Sequence, residues 1–259
     1  MAPGRNNKGV YGSMGGAMKS CIAAVLLLVY GLCFSQTPPG GSPRNATAYP
    51  TESQLRTAIE TAATLAKAER LDVEIFDAQK AGMTQPLFAA RLSLITGACK
   101  VFFNTKPENG LTQYFGTIAA TDLPVLLSAM ATHEVTHCIE QREAYVRKRF
   151  DKILPPGVWS DSVTVQGYMG AVKSGALETW GEALADIASL LYLKQAAPDR
   201  WLELAKGVAA MRRDLARKWP EHDTSPWLYK IIAADANAPV NQSLFETAFQ
   251  LRRQYRPGG

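Results

Sequence analysis

The residues best suited to chemistry are His133, Glu134 and His137, which form a His-Glu-x-x-His pattern. An α-helix turns by about 100° per residue, so side chains four positions apart lie one turn apart on the same face. Two imidazoles in this arrangement can bind one metal ion, and the glutamate beside them can take a proton from a water molecule. The spacing therefore indicates a hydrolytic zinc site.

The segment around this motif has the pattern of a helix. After Leu123, apolar residues recur at helical spacing, and no glycine interrupts them before residue 150. Thr121 or Asp122 can cap the start of the helix, and basic residues gather near its end at 147–149. We therefore predict a helix over residues 121–150 that carries both histidines on one face.

A catalytic zinc site needs a third protein ligand and an open position for water. Glu140 and Glu143 stand where an extended His-Glu-x-x-His-x-x-Gly-x-x-His motif requires glycine and histidine, so that version is excluded. A second helical pattern, over residues 176–195, offers Glu182 and Asp186 four positions apart on one face. Glu182 can complete the ligand set, and Asp186 can accept a hydrogen bond from a ligand histidine.

Glu178, one turn before Glu182, is the other candidate for the third ligand. It can equally be a solvated glutamate on the helix surface. Only Glu182 is followed one turn later by a carboxylate, Asp186, that can orient a ligand histidine, so we favour Glu182.

Together the two helical segments resemble those of the gluzincin metallopeptidases, the thermolysin-like clan. HEVTH at 133–137 is similar to their first motif, and Glu182 with Asp186 is similar to the Glu-x-x-x-Asp element of their second helix. The resemblance implies that Glu182 is the third zinc ligand, that Glu134 is the general base, and that Asp186 is the partner of the first ligand histidine. It covers about a quarter of the chain, and Gly181 replaces the asparagine that is usual before the ligand glutamate.

These residues predict an exported zinc metallopeptidase that acts on a peptide or protein substrate. Zinc held by His133, His137 and Glu182 would activate a water molecule. Glu134 would take the proton of that water and pass it to the leaving amine. Two other classes stay open: a zinc-binding pseudo-peptidase that acts as a binding module, and a zinc hydrolase of a non-peptide bond.

The negative charge that develops on the substrate oxygen needs a further donor. His222 is the remaining histidine and is the candidate, since a histidine serves this role in thermolysin-like enzymes. Because it lies in the polar stretch PEHD at 220–223, it can instead be a surface turn residue. Tyr168, Tyr192 and Tyr229 are equally open candidates.

The first 35 residues have the pattern of a secretory signal peptide. Basic residues precede the apolar run at 21–34, and no acidic residue occurs before Glu52. An uncleaved membrane anchor is the alternative. The stretch 36–50, rich in proline and glycine, predicts a flexible leader. Residues 51–259 then form one domain of a periplasmic or secreted protein, without membrane contact after cleavage.

Removal of residues 1–35 takes away three basic residues and no acidic residue, which lowers the formal net charge from +5 to +2. The arginine pairs at 212–213 and 252–253 have acidic neighbours in helical patterns, so we interpret both as solvated helix faces. No basic patch interleaved with aromatic residues occurs. Nucleic acid is therefore not an expected partner.

Cleavage after residue 35 would leave Cys99 and Cys138 as the cysteines of the exported chain. An even pair in an oxidising compartment suggests a disulfide, and two buried free thiols are the alternative. Cys138 directly follows His137, and Cys99 opens a predicted strand. A bridge between them would connect the two halves of the site.

The predicted fold is α+β and mostly α-helical, a zincin-like arrangement with one small antiparallel sheet beside the His-Glu-x-x-His helix and a helical C-terminal half. The strands are CKVFFN at 99–104 and, after the Asn109-Gly110 turn, residues 111–115. The segment 71–78 is ambiguous between strand and helix. Between residue 150 and the second zinc helix we expect a loop and a glycine-containing connection. Further helices are predicted over residues 51–70, 85–95, 199–218, 226–234 and 242–255.

In gluzincins an edge strand in this part of the chain binds the substrate as an additional strand. The resemblance therefore makes residues 99–104 the candidate for this role. An ordinary hairpin in the core is the alternative.

Overall fold

The computed structural model describes residues 49–83, 87–105, 115, 117–156, 163–235 and 242–258. The predicted signal peptide, most of the predicted leader, the Asn109-Gly110 turn and residues 111–114 lie outside these ranges. Tyr49 and Pro50, the last residues assigned to the leader, already pack against the domain. The ring of Tyr49 meets the ring of Phe115 edge-on at 5.5 Å, and Pro50 is buried.

Helices form most of the described chain, and the prediction of a mostly helical α+β protein with a small sheet is confirmed. The helices are α1 (Glu52–Ala68), α2 (Leu123–Tyr145), α3 (Phe150–Ile153), α4 (Val165–Lys173), α5 (Glu178–Ala196), α6 (Trp201–Leu215), α7 (Ser225–Ala233) and α8 (Leu244–Gln254). A 3₁₀ turn, Pro220–His222, precedes α7. The strands are β1 (Val73–Asp77), β2 (Phe88–Leu92) and β3 (Cys99–Phe103). In the described ranges, no helix is both long enough and apolar enough to cross a membrane.

α2 is the central element, and α1, α5 and β2 pack around it. Every residue from 131 to 140 is buried, so the polar side chains of this stretch need partners inside the protein. The hydroxyl of Thr132 donates to the carbonyl of Ser128, and that of Thr136 donates to the carbonyl of Thr132. The helix ends at Tyr145, before the predicted end at residue 150, and the chain then turns away.

The sheet has the order β1-β3-β2, with β1 parallel and β2 antiparallel to the central β3. The prediction of a purely antiparallel sheet is therefore wrong, and the ambiguous segment 71–78 contributes the parallel strand. The helix predicted over 85–95 is also wrong, since Phe88–Leu92 pairs with β3 and buries both of its end residues. Pairing with a neighbouring strand outweighs a local helical pattern. Phe115, at the end of the second predicted strand, has a helical conformation.

The connection between α2 and α5 contains two helices that were not predicted, the short α3 and the longer α4. Thr164 caps α4, because its hydroxyl accepts a hydrogen bond from the backbone N–H of Gly167 at 3.1 Å. Two glycines within α4 weaken its helical pattern. The helices predicted over the C-terminal half correspond to α6, α7 and α8.

Cys99 and Cys138 are joined by a disulfide, with their Cα atoms 5.6 Å apart. Cys99 is the first residue of β3, and Cys138 lies in the buried middle of α2. The bond therefore ties the sheet to the helix that carries both histidines.

One arginine of each predicted surface pair is buried, which contradicts the interpretation of both pairs as solvated faces. The side chain of Arg252 is 0% exposed, and its Nη1 donates to Glu140 Oε1 at 2.6 Å and to the carbonyl of Trp180 at 2.8 Å. Arg212 is likewise buried, whereas Arg213 and Arg253 are exposed. Adjacent helical residues point about 100° apart, so one member of a pair can face the core.

Candidate metal centre

Three side chains from two helices converge at one buried point. α2 provides His133 and His137, and α5 provides Glu182. Nε2 of His133 lies 3.1 Å from Nε2 of His137 and 3.5 Å from Glu182 Oε2, while His137 Nε2 lies 3.3 Å from Glu182 Oε1. Donors that are 2.0–2.1 Å from one tetrahedral zinc ion are about 3.4 Å from each other. The histidine pair is close to this spacing, and each histidine has one oxygen of Glu182 at a similar distance, so the three side chains can bind one metal ion.

Asp186 lies one turn after Glu182 on α5 and orients His133. One of its carboxylate oxygens is 2.9 Å from Nδ1 of His133, and the other accepts a hydrogen bond from the hydroxyl of Thr224. A proton on Nδ1 leaves the Nε2 lone pair of His133 directed towards His137 and Glu182. The carboxylate thus selects the tautomer that a metal ligand requires.

Arg212 on α6 brings a buried positive charge to the two carboxylates. Its Nη2 donates to Asp186 at 2.6 Å and to Glu182 at 3.2 Å, and its side chain is 3% exposed. Burial opposes the ionisation of Asp186, but the charge of Arg212 holds the pKa of that carboxyl below its usual value. The sequence contains a signal that Arg212 faces the core. Three small or apolar residues precede it on the same face of α6, namely Ala205, Val208 and Ala209.

The neighbours of the three donors shift their pKa values. Burial opposes the ionisation of Glu182, but the charge of His133 and a hydrogen bond from His137 hold its pKa well below its usual range. Burial acts to lower the pKa of His137. The hydrogen bond to Glu182 and the negative charge of that carboxylate outweigh burial and raise the pKa of His137 to about 9. For His133, burial dominates and lowers the pKa. A metal ion binds the ionised carboxylate and the neutral imidazoles, so it has to displace the proton that the raised pKa of His137 retains.

Glu134 lies beside the ligand set and is 2% exposed. Burial raises the pKa of its carboxyl to about 8, against the opposing charge of His137. The backbone of Ala90 in β2 acts to lower this pKa, and Glu134 Oε2 has no hydrogen-bond partner in the described part of the chain. A buried polar atom without a partner is costly, so Oε2 suits a small polar molecule at the metal centre.

His222 lies in the 3₁₀ turn, which packs against α5. Its Nδ1 is 3.5 Å from Glu182 Oε2, its Nε2 is 3.0 Å from Glu178 Oε1, and its side chain is 12% exposed. Burial acts to lower the pKa of His222, but the hydrogen bond to Glu182 raises it. The structure thus places His222 at the margin of the ligand set. Glu178, the other candidate for the third ligand, groups with His222, whereas Glu182 groups with the histidine pair.

The three tyrosines considered beside His222 have other surroundings. Tyr168 is buried, and its ring packs against the rings of Tyr145 and Phe150. Tyr192 packs against the main hydrophobic core. Tyr229 is 39% exposed.

β2, and not β3, is the edge strand next to α2. Both edges of β3 are occupied by β1 and β2, so the proposed role of residues 99–104 as a substrate-binding edge is wrong. β2 pairs with β3 along one side only, among the strands of the described ranges. On its other side, the N–H of Leu92 donates to Gln141 Oε1 at 3.0 Å.

A cavity of about 40 Å³ lies beside the histidine and glutamate of the motif. One end of the cavity is charged and is formed by His133, Glu134, Asp186 and Arg212. The remaining walls are mainly apolar and include Phe88, Leu126, Met130, Val208 and Met211.

No model of a known family, no curated protein and no solved structure matches the chain. The structure establishes a buried group of His133, His137 and Glu182 that can bind a metal ion.

Proposed function

We propose that the chain is a zinc-dependent metallopeptidase of the gluzincin type. The observation that carries the proposal is the buried donor set of His133, His137 and Glu182, whose atoms are 3.1–3.5 Å apart, with Glu134 beside it. Two imidazoles and one carboxylate are a ligand set that zinc prefers, with the fourth position left for water or substrate.

When zinc is bound, it supplies Lewis acidity, which acidifies a water molecule and polarises the scissile carbonyl. The protein supplies the proton transfers. Glu134 takes the proton of the attacking water through its unpartnered Oε2 and then delivers it to the leaving amine. Burial brings the pKa of this carboxyl to about 8, close to neutral pH, and such a group can both accept and donate a proton.

The edge of β2 favours a peptide over other substrates. An extended peptide can add to a sheet edge through main-chain hydrogen bonds, and the side of β2 that pairs with no described strand lies towards α2, the helix that carries Glu134. A peptide along this edge would replace the contact between the N–H of Leu92 and Gln141 and would bring its peptide bond near the general base. The apolar walls of the adjacent cavity suit an apolar side chain next to the scissile bond.

His222 is the proposed donor to the oxygen that becomes negatively charged. Its imidazole lies within 3.5 Å of Glu182 and remains partly exposed, so it borders both the ligand set and solvent. Arg212 compensates the charges of the two buried carboxylates on α5 and keeps both ionised.

The test is cleavage of a mixed peptide library by the full chain supplied with one equivalent of zinc, with products identified by mass spectrometry. Glu134→Gln should bind zinc as the parent does and lose hydrolysis by several orders of magnitude, because no other group takes the water proton. Glu60→Gln, an equal change on the exposed face of α1, should leave hydrolysis unchanged.

Retained cleavage by Glu134→Gln would exclude this mechanism. Cleavage of an ester or amide library, with no cleavage of peptides, would show that the protein is a hydrolase of another bond. Zinc binding without any cleavage would show that it is a zinc-binding module.

A further inference from the structure

A second group of metal-binding side chains lies next to the first. Glu178, Glu221 and His222 each offer one ligand atom, and these atoms all lie within 4.8 Å of one another. The chain contains three histidines, and each of them contacts Glu182, so the two groups are adjacent. The proposed hydrolysis does not use Glu178 or Glu221.

This group is held together by contacts between two separate elements. Glu178 is the first residue of α5, whereas Glu221 and His222 belong to the 3₁₀ turn. The hydroxyl of Thr179 donates to the carbonyl of Glu221 at 2.5 Å, and Nε2 of His222 lies 3.0 Å from Glu178 Oε1. The turn is therefore fixed against the start of the helix, which brings the three side chains together.

The donor types select the class of ligand. An imidazole with two carboxylates suits divalent transition-metal ions such as Zn²⁺, whereas Ca²⁺ and Mg²⁺ prefer oxygen donors alone. The side chains of His222 and Glu178 are 12% and 33% exposed, so water can reach the group and complete a coordination shell.

We propose that Glu178, Glu221 and His222 form a second, exchangeable site for a divalent transition-metal ion, with Zn²⁺ as the ion that binds it in zinc-rich conditions. This site is weaker than the first, because its donors are partly exposed to water, whereas those of the first site are buried.

The two sites are connected through the ring of His222. A metal ion on Nε2 leaves the ring proton on Nδ1, the atom that is 3.5 Å from Glu182 Oε2. Occupation of the second site thus fixes the tautomer in which His222 donates towards Glu182. Both ring nitrogens are then engaged, so the donor role proposed for His222 in hydrolysis belongs to the protein with only the first site filled.

The experiment is a zinc titration of the full chain by isothermal calorimetry, with bound metal counted after equilibrium dialysis. The parent should bind two ions, one tightly and one more weakly. Glu221→Gln and Glu178→Gln should each retain the tight ion and weaken the second by about tenfold or more, since each removes a charged ligand. Glu203→Gln, an exposed glutamate on α6, is the matched control and should retain both ions.

The variant with both His133→Ala and His137→Ala separates the two sites. It should lose the tight ion and keep the weak one. A parent that binds only the tight ion would overturn the second site, and so would a second ion that persists when Glu178 and Glu221 are both replaced by glutamine. A parent that binds only the weak ion, dependent on Glu221, would overturn the proposed function and leave this inference standing. Thermal unfolding of each variant verifies that it is folded.

Discussion

Asp186 lies 2.9 Å from Nδ1 of His133, although the two residues are 53 positions apart in the chain. The contact exists because α5 packs along α2 and presents Asp186 one turn beyond Glu182. One helix therefore supplies both a metal ligand and the group that orients another ligand. This pairing of roles leads to the first prediction.

Replacement of Asp186 by asparagine should lower zinc affinity by about 10–100-fold, because the carboxylate that holds His133 in its ligand tautomer is lost. Competition with a coloured zinc chelator measures the change. Asp151→Asn, an equal change at an exposed position on α3, should leave the affinity unaltered. Equal zinc affinity in the parent and Asp186→Asn would contradict the orienting role of Asp186.

Replacement of Glu182 and of Glu178 by alanine should have different effects on the tight zinc ion. Glu182 lies 3.3 Å from His137 Nε2 and 3.5 Å from His133 Nε2, whereas Glu178 faces His222. With one equivalent of zinc, we expect Glu182→Ala to lose the ion and Glu178→Ala to keep it. Metal content after gel filtration measures both variants.

The midpoint of thermal unfolding provides a second measurement on the Glu182→Ala and Glu178→Ala variants. At a free zinc concentration of about 100 times Kd, binding stabilises the folded state by about 2.7 kcal/mol. For a domain of about 200 residues this raises the midpoint by roughly 5–10 °C. The rise should appear in Glu178→Ala and be absent in Glu182→Ala. The opposite result would make Glu178 the third ligand.

Loss of the Cys99–Cys138 disulfide should destabilise the fold by about 4 kcal/mol, because a closed loop of this length restricts the unfolded chain. The two cysteines are 39 positions apart. Urea unfolding with and without a reductant measures the effect, and the parent should unfold at lower urea concentration when reduced. A chain with both cysteines replaced by alanine should no longer respond to the reductant.

A matched change at the two remaining cysteines provides the control. Replacing Cys21 and Cys33 by alanine should leave the response to reductant intact. If the parent unfolds at the same urea concentration in both conditions, the bridge contributes no stability.

Replacement of Gly181 by alanine should not give the stabilisation that alanine usually gives when it replaces glycine inside a helix. A Cβ at this position would lie 3.2 Å from Glu140 Oε2, and the other oxygen of that carboxylate is bound by the buried Arg252. Gly207 on α6 has nothing within 4 Å of such a Cβ. Gly207→Ala should therefore raise the free energy of unfolding by about 1 kcal/mol. In Gly181→Ala, crowding between the new Cβ and Glu140 removes this gain. Urea unfolding compares the two variants, and equal gains would show that Glu140 moves aside freely.

The departure from the gluzincin pattern at Gly181 has a local explanation in this contact. Any side chain here must displace Glu140, which anchors a fully buried arginine. Glycine therefore leaves the contact between Glu140 and Arg252 undisturbed.

The errors in the predicted sheet share one cause. Residues 85–95 have a helical pattern, yet Phe88–Leu92 forms a strand because β3 lies beside it. The strand at 99–104 was predicted, but its central position depends on β1, a segment that is ambiguous by itself. Strand order is set by pairing between segments, and no local pattern encodes it.

The sequence by itself determined the features that depend on helical spacing. His133 and His137, and Glu182 and Asp186, lie four positions apart, so each pair shares a helix face wherever its helix packs. The tertiary structure decided which of these faces meet. It selected Glu182 over Glu178, brought Arg212 and His222 to the carboxylates, and set β2 at the sheet edge. These relationships connect segments that are distant in the chain, and only the packing of α2, α5, α6 and the sheet around one core brings them together.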